Sequence, residues 1–416
     1  MKIMIVDVNY GRSSTGKIIS DLVDMLSARG HEVRACFGRG PDVKSPTVRK
    51  IAASAEVYGH VLLTRITGLT GCFSPRATKR LIDEINLFQP DVVHLHELHG
   101  YYINIVELVE FLKEKKIPIV WTFHCEFMYT GKCGHAYDCE KWKTECRQCP
   151  QLREYPASWI FDFTNYMFHA KRKMLEGDFP LTIVTPSKWL ENRVKNSFLG
   201  KKHLEVVHNG INMNEDFYPR NTELLVEKYN LRGKKIILSV APGIMGDRKG
   251  GKFILELAKR FDEGYLFILV GVDAKESRYF NNVLMIERTH NQAELAEFYT
   301  AADIFMLTSQ KETFSLVTVE SLACGTPVIG FDSGAPAEIA PKGFGYFVPY
   351  GDLDGLESLV RGFFNSTLDF KNSQECRDFA ITRYTKQKMA YAYERVYHET
   401  VHRWRNESKV FTHLLD

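Results

Sequence analysis

The chain has 416 residues, of which 44% are hydrophobic and 25% are charged, and its formal net charge at pH 7 is +3. At about 150 residues per domain, this length indicates roughly two to three folded units, and the composition excludes a disordered chain or a coiled coil. So small a net charge also excludes strong general affinity for nucleic acid, although it is compatible with a local basic patch facing an anionic ligand.

The apolar runs of the sequence are short. The longest, such as residues 265–272, fall far below the roughly 20 residues that a bilayer-spanning helix requires. The N-terminal run 1–6 meets Asp7 too early to form the apolar region of a signal peptide. The sequence therefore predicts a cytoplasmic protein without a membrane-spanning helix.

Strands and helices alternate along the chain in two series. Near-continuous runs of Val, Ile and Leu are separated by helical patterns, which is typical of parallel sheets covered by helices on both faces. The first series has predicted strands at 2–8, 32–37, 92–96, 117–124 and 181–185, with helices after the loop 9–16, near 76–88, near 104–114 and after Ser187. The second has strands at 235–240, 265–270, 283–286, 304–308 and 327–331, with helices at 253–261, 293–301 and 315–324.

The two series meet near residues 205–220, which predicts an α/β protein with two Rossmann-like domains facing an interdomain cleft. Residues 1–208 form the N-terminal domain, which includes a cysteine-rich loop at 125–156, and residues 209–385 form the C-terminal domain. We expect the C-terminal helix 386–416 to join the first domain. Ligands of such sheets bind beyond the carboxyl ends of the strands, so loops of both domains should point into the cleft.

A glycine-containing loop follows the first predicted strand. Residues 11–17 fit the spacing G-x4-G-K of a phosphate-binding P-loop, but Ile18 stands where a P-loop has the Ser or Thr that binds Mg²⁺. We therefore assign no nucleoside triphosphatase. Gly16, at the start of a helix, is predicted to offer a backbone N–H to phosphate or sugar oxygens, and a simple strand-to-helix turn is the alternative.

The most informative motif is residues 311–328, in which Glu312 and Glu320 are separated by seven residues. The segment follows a strand, continues through a helix and ends with Gly-x-Pro before the next strand. The helix N-terminus at 314–316 presents backbone amides that suit a diphosphate. Glu312 in the loop is placed to meet a transferred group. Glu320, two turns further on, is placed to accept hydrogen bonds from two hydroxyls, such as the two that a ribose presents.

This motif with its flanks resembles the signature of glycosyltransferase family 4, and the resemblance extends over essentially the whole chain. Arg248-Lys249-Gly250 stands where the family places a basic pair on the donor pyrophosphate, and a cation there stabilises the departing diphosphate. The resemblance implies the GT-B fold, with an N-terminal acceptor-binding domain and a C-terminal domain that binds a nucleoside diphosphate sugar. It also implies transfer with retention at the anomeric carbon and no metal or other cofactor in catalysis.

The same resemblance assigns further residues. His124, at the end of the strand 117–124, stands where a family histidine contacts the donor sugar, so we assign catalytic roles to His124, Lys249 and Glu312. Asp352-Leu353-Asp354 looks like the metal-binding motif of another glycosyltransferase class, but it opens a helix and is better explained as a cap. The predicted donor-binding residues are Gly16, Arg248, Lys249, Glu312, Phe314, Ser315, Leu316 and Glu320.

Histidines also cluster near the end of the strand 92–96. His94, His96 and His99 are candidates for the acceptor side of the site. The His-x-His pair places both rings on one face of a strand, which also suits metal binding. We set the metal interpretation aside because no carboxylate at a matching spacing accompanies the pair.

Four of the nine cysteines, Cys133, Cys139, Cys146 and Cys149, follow one another at the spacing C-x5-C-x6-C-x2-C. Disulfides are unexpected in the cytosol, and four thiolates suit a tetrahedral Zn²⁺. We predict a structural zinc, with His135 able to replace one thiolate. An iron–sulfur cluster and free or paired thiols are the alternatives. The segment resembles a subgroup with enzymes of colanic-acid and other exopolysaccharide pathways. We expect it to shape an acceptor-side loop on which the sheet cores do not depend.

The sequence thus predicts a glycosyltransferase that moves a sugar from a nucleoside diphosphate sugar to a growing, lipid-linked glycan of a bacterial surface or exopolysaccharide pathway. Because such an acceptor lies at a bilayer, the basic runs 76–80 and 171–173 predict contact with the inner face of the membrane. A sugar-nucleotide epimerase of similar fold and a non-enzymatic, zinc-stabilised binding protein are the alternatives. Intact Lys249, Glu312 and Glu320 favour the transferase.

Overall fold

The computed structural model describes residues 1–273 and 281–413. The chain divides into two compact units: residues 1–208 together with 386–416 form the first unit, and residues 209–385 form the second. Each unit has its own parallel sheet and its own hydrophobic core.

Seven parallel strands form the sheet of the first unit. In chain order they are β1 (Lys2–Asp7), β2 (Glu32–Phe37), β3 (Val48–Lys50), β4 (Val92–Leu95), β5 (Ile119–Thr122), β6 (Leu181–Thr185) and β7 (His203–Val206). Within the sheet they follow the order β3-β2-β1-β4-β5-β6-β7. Strands β4, β5 and β6 are buried along their whole length, because helices cover both faces of the sheet.

The helices of the first unit include one from the far end of the chain. They are α1 (Ser13–Ala28), α2 (Ser54–Thr67), α3 (Pro75–Phe88), α4 (Ile105–Glu114), α5 (Thr164–Leu175), α6 (Lys188–Lys195) and the C-terminal α14 (Lys386–His413). Helix α14 packs on the sheet, where the hydroxyl of Tyr397 bonds His94 Nδ1 (2.7 Å) and the hydroxyl of Thr400 bonds that of Thr182 (2.7 Å). Between β5 and α5, two short 3-10 turns at Phe127–Tyr129 and Lys141–Lys143 are the regular structure of a long connection.

Six parallel strands form the sheet of the second unit. They are β8 (Lys235–Val240), β9 (Tyr265–Val270), β10 (Val283–Ile286), β11 (Ile304–Leu307), β12 (Val328–Phe331) and β13 (Gly345–Val348), in the order β10-β9-β8-β11-β12-β13. The helices of this unit are α7 (Glu223–Lys228), α8 (Gly251–Ala258), α9 (Gln292–Ala301), α10 (Leu316–Ala323), α11 (Pro336–Ile339), α12 (Leu353–Phe364) and α13 (Ser373–Ile381).

The strand order reverses at one place in each sheet. In the first unit β1 lies between β2 and β4, and in the second β8 lies between β9 and β11. Loops that leave the carboxyl ends of two such neighbouring strands diverge to opposite faces, which opens a crevice where ligands of α/β sheets bind. The loops after β1, β4, β8 and β11 are therefore the places where functional residues are expected.

The prediction of an α/β fold with two parallel sheets is confirmed, and ten of the thirteen described strands were located from the sequence. The three that were missed, β3, β7 and β13, lie at sheet edges. Edge strands are partly exposed, as the half-buried side chains of β7 and β13 show, so they lack the continuous apolar run of a central strand. The side chains of Ser187 and Asp352 cap α6 and α12 as predicted.

Among the described residues, no helix is long and apolar enough to cross a membrane.

Candidate functional site

The segments that follow β8 and β11 lie directly against each other. The backbone N–H of Gln310 donates to the carbonyl of Arg248 (2.9 Å), and the Thr308 hydroxyl donates to the carbonyl of Lys249 (2.9 Å). Gly250 has a φ of 72°, and a Cβ at this position would lie 2.3 Å from the carbonyl oxygen of Thr308, so glycine is required. This close approach fixes the direction in which Lys249 leaves the loop.

Lys249 and Glu312 form an ion pair, with 2.7 Å between Nζ and Oε1 and side chains that are 17% and 15% exposed. The backbone of Glu312 is held by the segment after β12, because its N–H donates to the carbonyl of Ser333 (2.8 Å) and its carbonyl accepts from Ala335 N–H (3.1 Å). Burial acts to raise the pKa of Glu312, but the Lys249 ammonium and a hydrogen bond from Ser309 outweigh it and lower that pKa. The Glu312 carboxylate is therefore ionised. The structure brings these two predicted residues together.

Arg248, the other member of the predicted basic pair, is exposed. It contributes to the lowered pKa of Glu312 at longer range, after Lys249 and Ser309. Because a solvated guanidinium interacts more weakly than a largely desolvated ammonium, Lys249 is the dominant cation of the pair.

Three of the predicted donor-binding residues, 314–316, lie at the start of α10. Ser315 precedes the helix with a φ of 79°, and its hydroxyl bonds that of Thr318 (2.8 Å). The Phe314 side chain is buried and packs edge-to-face against Tyr384 (6.0 Å between ring centroids). Phe314 can therefore reach a ligand only through its backbone, while Leu316 is partly buried as the first helical residue.

Glu320 lies in the second turn of α10, and the hydroxyl of Tyr299 donates to its Oε2 (3.0 Å). Burial, with the nearby charge of Glu320, holds the pKa of Tyr299 well above its ordinary value, so the hydroxyl stays a donor. This contact orients one carboxylate oxygen of Glu320. Tyr299 could not be recognised as a functional residue from the sequence, because it lies on α9 within an ordinary core pattern.

The loop after β1 differs from the predicted one. Helix α1 begins at Ser13, so Gly16 lies in its first turn rather than in the preceding loop. The carbonyl of Gly16 accepts from Gly11 N–H (2.8 Å), and a Cβ on Gly16 would lie 3.1 Å from Asn9 atoms. This packing accounts for glycine at position 16 without a ligand.

His124 begins a chain of imidazoles that runs into the first unit. Strand β5 ends two residues earlier, and His124 Nε2 lies 2.9 Å from Nδ1 of His96, whose Nε2 lies 3.2 Å from His94 Nδ1. Burial lowers the pKa of all three rings, so they are neutral donors and acceptors. His94 is fully buried, and its Nε2 bonds Thr122 (2.7 Å). It cannot contact an acceptor, which corrects the expectation for that residue.

A second polar group lies at the same carboxyl ends of the strands and consists of Glu97, His99 and Cys125. Glu97 Oε2 lies 3.0 Å from His99 Nδ1, and the Cys125 thiol donates to the same oxygen (3.5 Å). Within the described ranges, this is the one group of three or more metal-ligating side chains whose ligand atoms all lie within 4.8 Å of one another. Burial would raise the pKa of Glu97, but the His99 charge lowers it to about 2. Glu97 lies between His96 and His99 in the sequence, but its partners in this group are His99 and Cys125 rather than the His94–His96 pair.

Asp7 ends β1 beside this group. It is fully buried, and its Oδ1 accepts from the Glu97 N–H (3.1 Å). Burial, followed by repulsion from the Glu97 carboxylate, raises the pKa of Asp7 to about 7. At neutral pH the Glu97 carboxyl group is therefore ionised, and the Asp7 carboxyl group is close to half-protonated. Sequence reasoning used Asp7 only as the end of an apolar run.

The connection 123–163 carries the four clustered cysteines, all of which line one cavity of about 20 Å³. The expectation that the sheet cores do not depend on this connection was wrong. Phe127, Tyr129 and Trp142 are fully buried members of the main core of the first unit. Lys171, predicted to be part of an exposed basic run, is also buried, beneath this connection.

Two family models match the chain. The model for Glycosyltransferase Family 4 matches residues 15–215, and the model for Glycosyl transferases group 1 matches residues 221–382. The two matches follow one another along the chain. The chain belongs to the family 4 glycosyltransferases.

This glycosyltransferase is 27% identical over 281 residues to the putative colanic acid biosynthesis glycosyl transferase WcaC of Escherichia coli K12, an alignment that covers 65% of this chain and 67% of the relative. Among solved structures, a sucrose-phosphate synthase from Thermosynechococcus elongatus has a TM-score of 0.70 at 17% identity, covering 96% of this chain and 98% of the other. The Anabaena protein Alr3699/HepE in complex with UDP-glucose has a TM-score of 0.65 at 12% identity, covering 96% and 100%. These likenesses establish the GT-B fold of the glycosyltransferase.

Proposed function

We propose that this glycosyltransferase transfers a sugar from a nucleoside diphosphate sugar to a growing, lipid-linked glycan of a bacterial surface or exopolysaccharide pathway, with retention at the anomeric carbon. The observation that carries the donor assignment is the Lys249–Glu312 ion pair beside the N-terminus of α10, at the carboxyl ends of β8 and β11. The name of the WcaC relative supports a polysaccharide acceptor. The solved HepE complex supports a nucleoside diphosphate sugar as donor.

The proposed donor site divides its work among three groups. Lys249, held by Glu312, supplies a desolvated positive charge to the diphosphate, whose negative charge grows as it departs. The start of α10 adds backbone amides and the helix dipole. Glu320, oriented by Tyr299, accepts hydrogen bonds from the two ribose hydroxyls. These contacts need no metal, so we propose that catalysis requires no cofactor.

Retention follows from attack on the face that the leaving group vacates. The bond from the anomeric carbon to the phosphate oxygen breaks, and a new bond to the acceptor hydroxyl oxygen forms on the same face. The acceptor proton passes to the departing phosphate oxygen. The protein supplies positioning and electrostatic stabilisation rather than a covalent nucleophile. We assign acceptor binding to the first unit, and His124 keeps its proposed contact with the donor sugar from the family resemblance.

A panel of UDP-, GDP-, ADP- and TDP-sugars, tested by thermal shift, is expected to raise the unfolding midpoint for one nucleotide class, because a ligand that binds only the folded state stabilises it. The stabilising donor should then be incubated alone and with a lipid-linked acceptor fraction. Transfer that requires the acceptor supports the proposal. An epimerised donor would assign an epimerase, and no shift with any donor would favour a binding protein.

We also propose that the first unit touches the membrane through an exposed apolar patch. The patch joins the end of α2 to the segment 159–166, because Trp159 N–H donates to the carbonyl of Arg65 (2.6 Å). Tryptophan and tyrosine side chains favour the membrane–water interface, and a cation such as Arg65, whose guanidinium lies 5.8 Å from the centroid of the Trp159 ring, is attracted by anionic lipid. The exposed side chains of the patch are Tyr58, Leu62, Leu63, Trp159, Ile160, Phe161, Phe163 and Tyr166.

The protein is expected to float with anionic liposomes at low salt, and to float less at high salt as the electrostatic attraction is screened. The double variant Trp159→Ser, Ile160→Ser should lose most of this binding, because both side chains are more than 60% exposed, at 61% and 63%. Leu224→Ser, in the second unit and 82% exposed, is the matched control and should float like the unchanged protein. Absence of flotation at low salt would rule the membrane contact out.

A further inference from the structure

We propose that Cys133, Cys139, Cys146 and Cys149 bind one structural zinc ion as a tetrathiolate complex, whose net negative charge lies beside buried lysine side chains, and that this site holds the connection 123–163 in place. The proposal concerns a metal site of the first unit and does not rest on the proposed transfer reaction. It goes beyond the spacing of the cysteines, because the structure now supplies their common cavity, the groups around it and the charge they leave unbalanced.

The four side chains come from separate parts of the connection and still line one cavity of about 20 Å³. A cavity of this size exceeds the roughly 10–15 Å³ that a single water molecule needs, so it has room for one ion and not for a larger cofactor. That size disfavours an iron–sulfur cluster. The four thiols surround the cavity more loosely than a bound site would, because their sulfurs do not all lie within 4.8 Å of one another.

The backbone amides of Gly131 and Gln151 lie near the sulfurs of Cys146 and Cys149. A Cβ on Gly131 would lie 2.8 Å from the Cys146 Cβ, so glycine is required for this approach. Trp142 lines the cavity as well, and its buried Nε1–H has no hydrogen-bond partner among the described residues. Metal-bound thiolates accept such hydrogen bonds, which orient and stabilise them.

Two lysine side chains, Lys132 and Lys171, are buried beneath the connection 123–163. Lys171 is 3% exposed and donates to the carbonyls of Phe127 (2.5 Å) and Thr130 (2.9 Å). Lys132 is 1% exposed and donates to the carbonyls of Gln151 (2.9 Å) and Glu154 (2.8 Å).

Neither lysine pairs with a carboxylate among the residues that the structure describes, and cysteine sulfurs are the leading negative groups near both. A buried ammonium is costly unless an opposite charge compensates it. Zn²⁺ with four thiolates carries a net negative charge, so the bound site supplies the missing compensation. Glu154 and Asp162 offset part of the Lys132 charge, whereas the leading negative groups near Lys171 are all cysteine sulfurs, so neutral thiols would leave Lys171 uncompensated.

The tighter group of Glu97, His99 and Cys125 is the competing place for a metal. The charges of this group are already balanced without an ion, because the Glu97 carboxylate pairs with His99 and accepts a hydrogen bond from the Cys125 thiol. A metal there would displace the proton that holds the ion pair together. The cysteine cavity has the opposite balance, with four potential thiolates close to the buried Lys171, whose leading negative neighbours are cysteine sulfurs. The charges therefore favour the cysteine cavity.

The unchanged protein tests the site first. Purified without chelators, it is expected to contain close to one zinc per chain by elemental analysis, and thiol titration of the folded protein should find these four cysteines protected until a mercurial releases the metal. Cobalt substitution should give the d–d absorption of a tetrahedral site with thiolate-to-metal charge transfer. Well under one zinc per chain, with the four thiols freely titratable or joined in disulfides by mass, would overturn the proposal.

Variants then locate the metal. The double variant Cys146→Ser, Cys149→Ser is expected to lose the zinc, with a metal affinity at least about 100-fold lower. Cys72→Ser is the matched control: this thiol also lies near Lys171 but does not line the cavity, and the variant should keep one zinc. Cys125→Ser should also keep it. Full zinc content in the double variant, or loss of zinc in Cys125→Ser, would place the metal elsewhere and overturn the assignment.

Discussion

Lys249→Ala is expected to lower kcat/KM for transfer by about 30- to 1,000-fold, which corresponds to about 2–4 kcal/mol of lost transition-state stabilisation. Lys249 is largely desolvated and held at 2.7 Å by Glu312, so its charge acts on the departing diphosphate with little screening by water. The loss should appear in kcat as well as in KM, because the negative charge on the diphosphate grows in the transition state. Initial rates at varied donor concentration measure both parameters.

Lys252→Ala is the control for this prediction. Lys252 lies three residues further along the chain, is 57% exposed and pairs with Asp247 at the surface (3.0 Å), so its loss should change the rate little. In the same assay, Glu320→Ala is expected to weaken transfer at least about tenfold through the lost hydroxyl contacts. Near-normal rates in folded Lys249→Ala and Glu320→Ala enzymes would remove the donor-site assignment.

Glu126→Ala is expected to destabilise the first unit by about 3–5 kcal/mol, because it leaves a buried charge without its partner. The Glu126 side chain is fully buried and forms an ion pair with Arg193 of α6. It also accepts from the Tyr129 hydroxyl (2.8 Å) and from Ala136 N–H (2.6 Å), so one carboxylate ties the cysteine-bearing connection to α6. Removal strands three donors at once, and each buried donor without an acceptor is costly.

Urea unfolding followed by tryptophan fluorescence measures this effect in the first unit alone. All five tryptophans lie in residues 1–208 and 386–416, so the signal does not report the second unit. Glu140→Ala, in the same connection, is the control: Glu140 is 63% exposed and pairs with Lys143 at the surface, so its loss should leave the urea midpoint nearly unchanged. Equal free energies of unfolding for the two variants would mean that Glu126 does not anchor the cysteine-bearing connection to α6.

The central strands and the donor motif could be read from the sequence because both are local patterns. A strand such as β8 is buried on both faces, so its burial is written directly into a run of apolar residues. The segment 311–328 combines a strand end, a helix start and two glutamates within one short stretch. Three of the four edge strands, the start of α1 and the aromatic patch after residue 158 carried weaker local signals and were missed or misplaced.

By itself, the sequence determined the α/β class, the two parallel sheets and the family of the chain. Only the tertiary structure decided which charges are desolvated and what compensates them. Lys249 and Arg248 are neighbours in sequence, yet one pairs with Glu312 and the other faces solvent. Lys171 and Arg172 form one basic run, yet Lys171 lies beneath the cysteine cavity. The physical reason is that the electrostatic state of a group depends on its distance from water and from partners far away in sequence, and no local pattern encodes those distances.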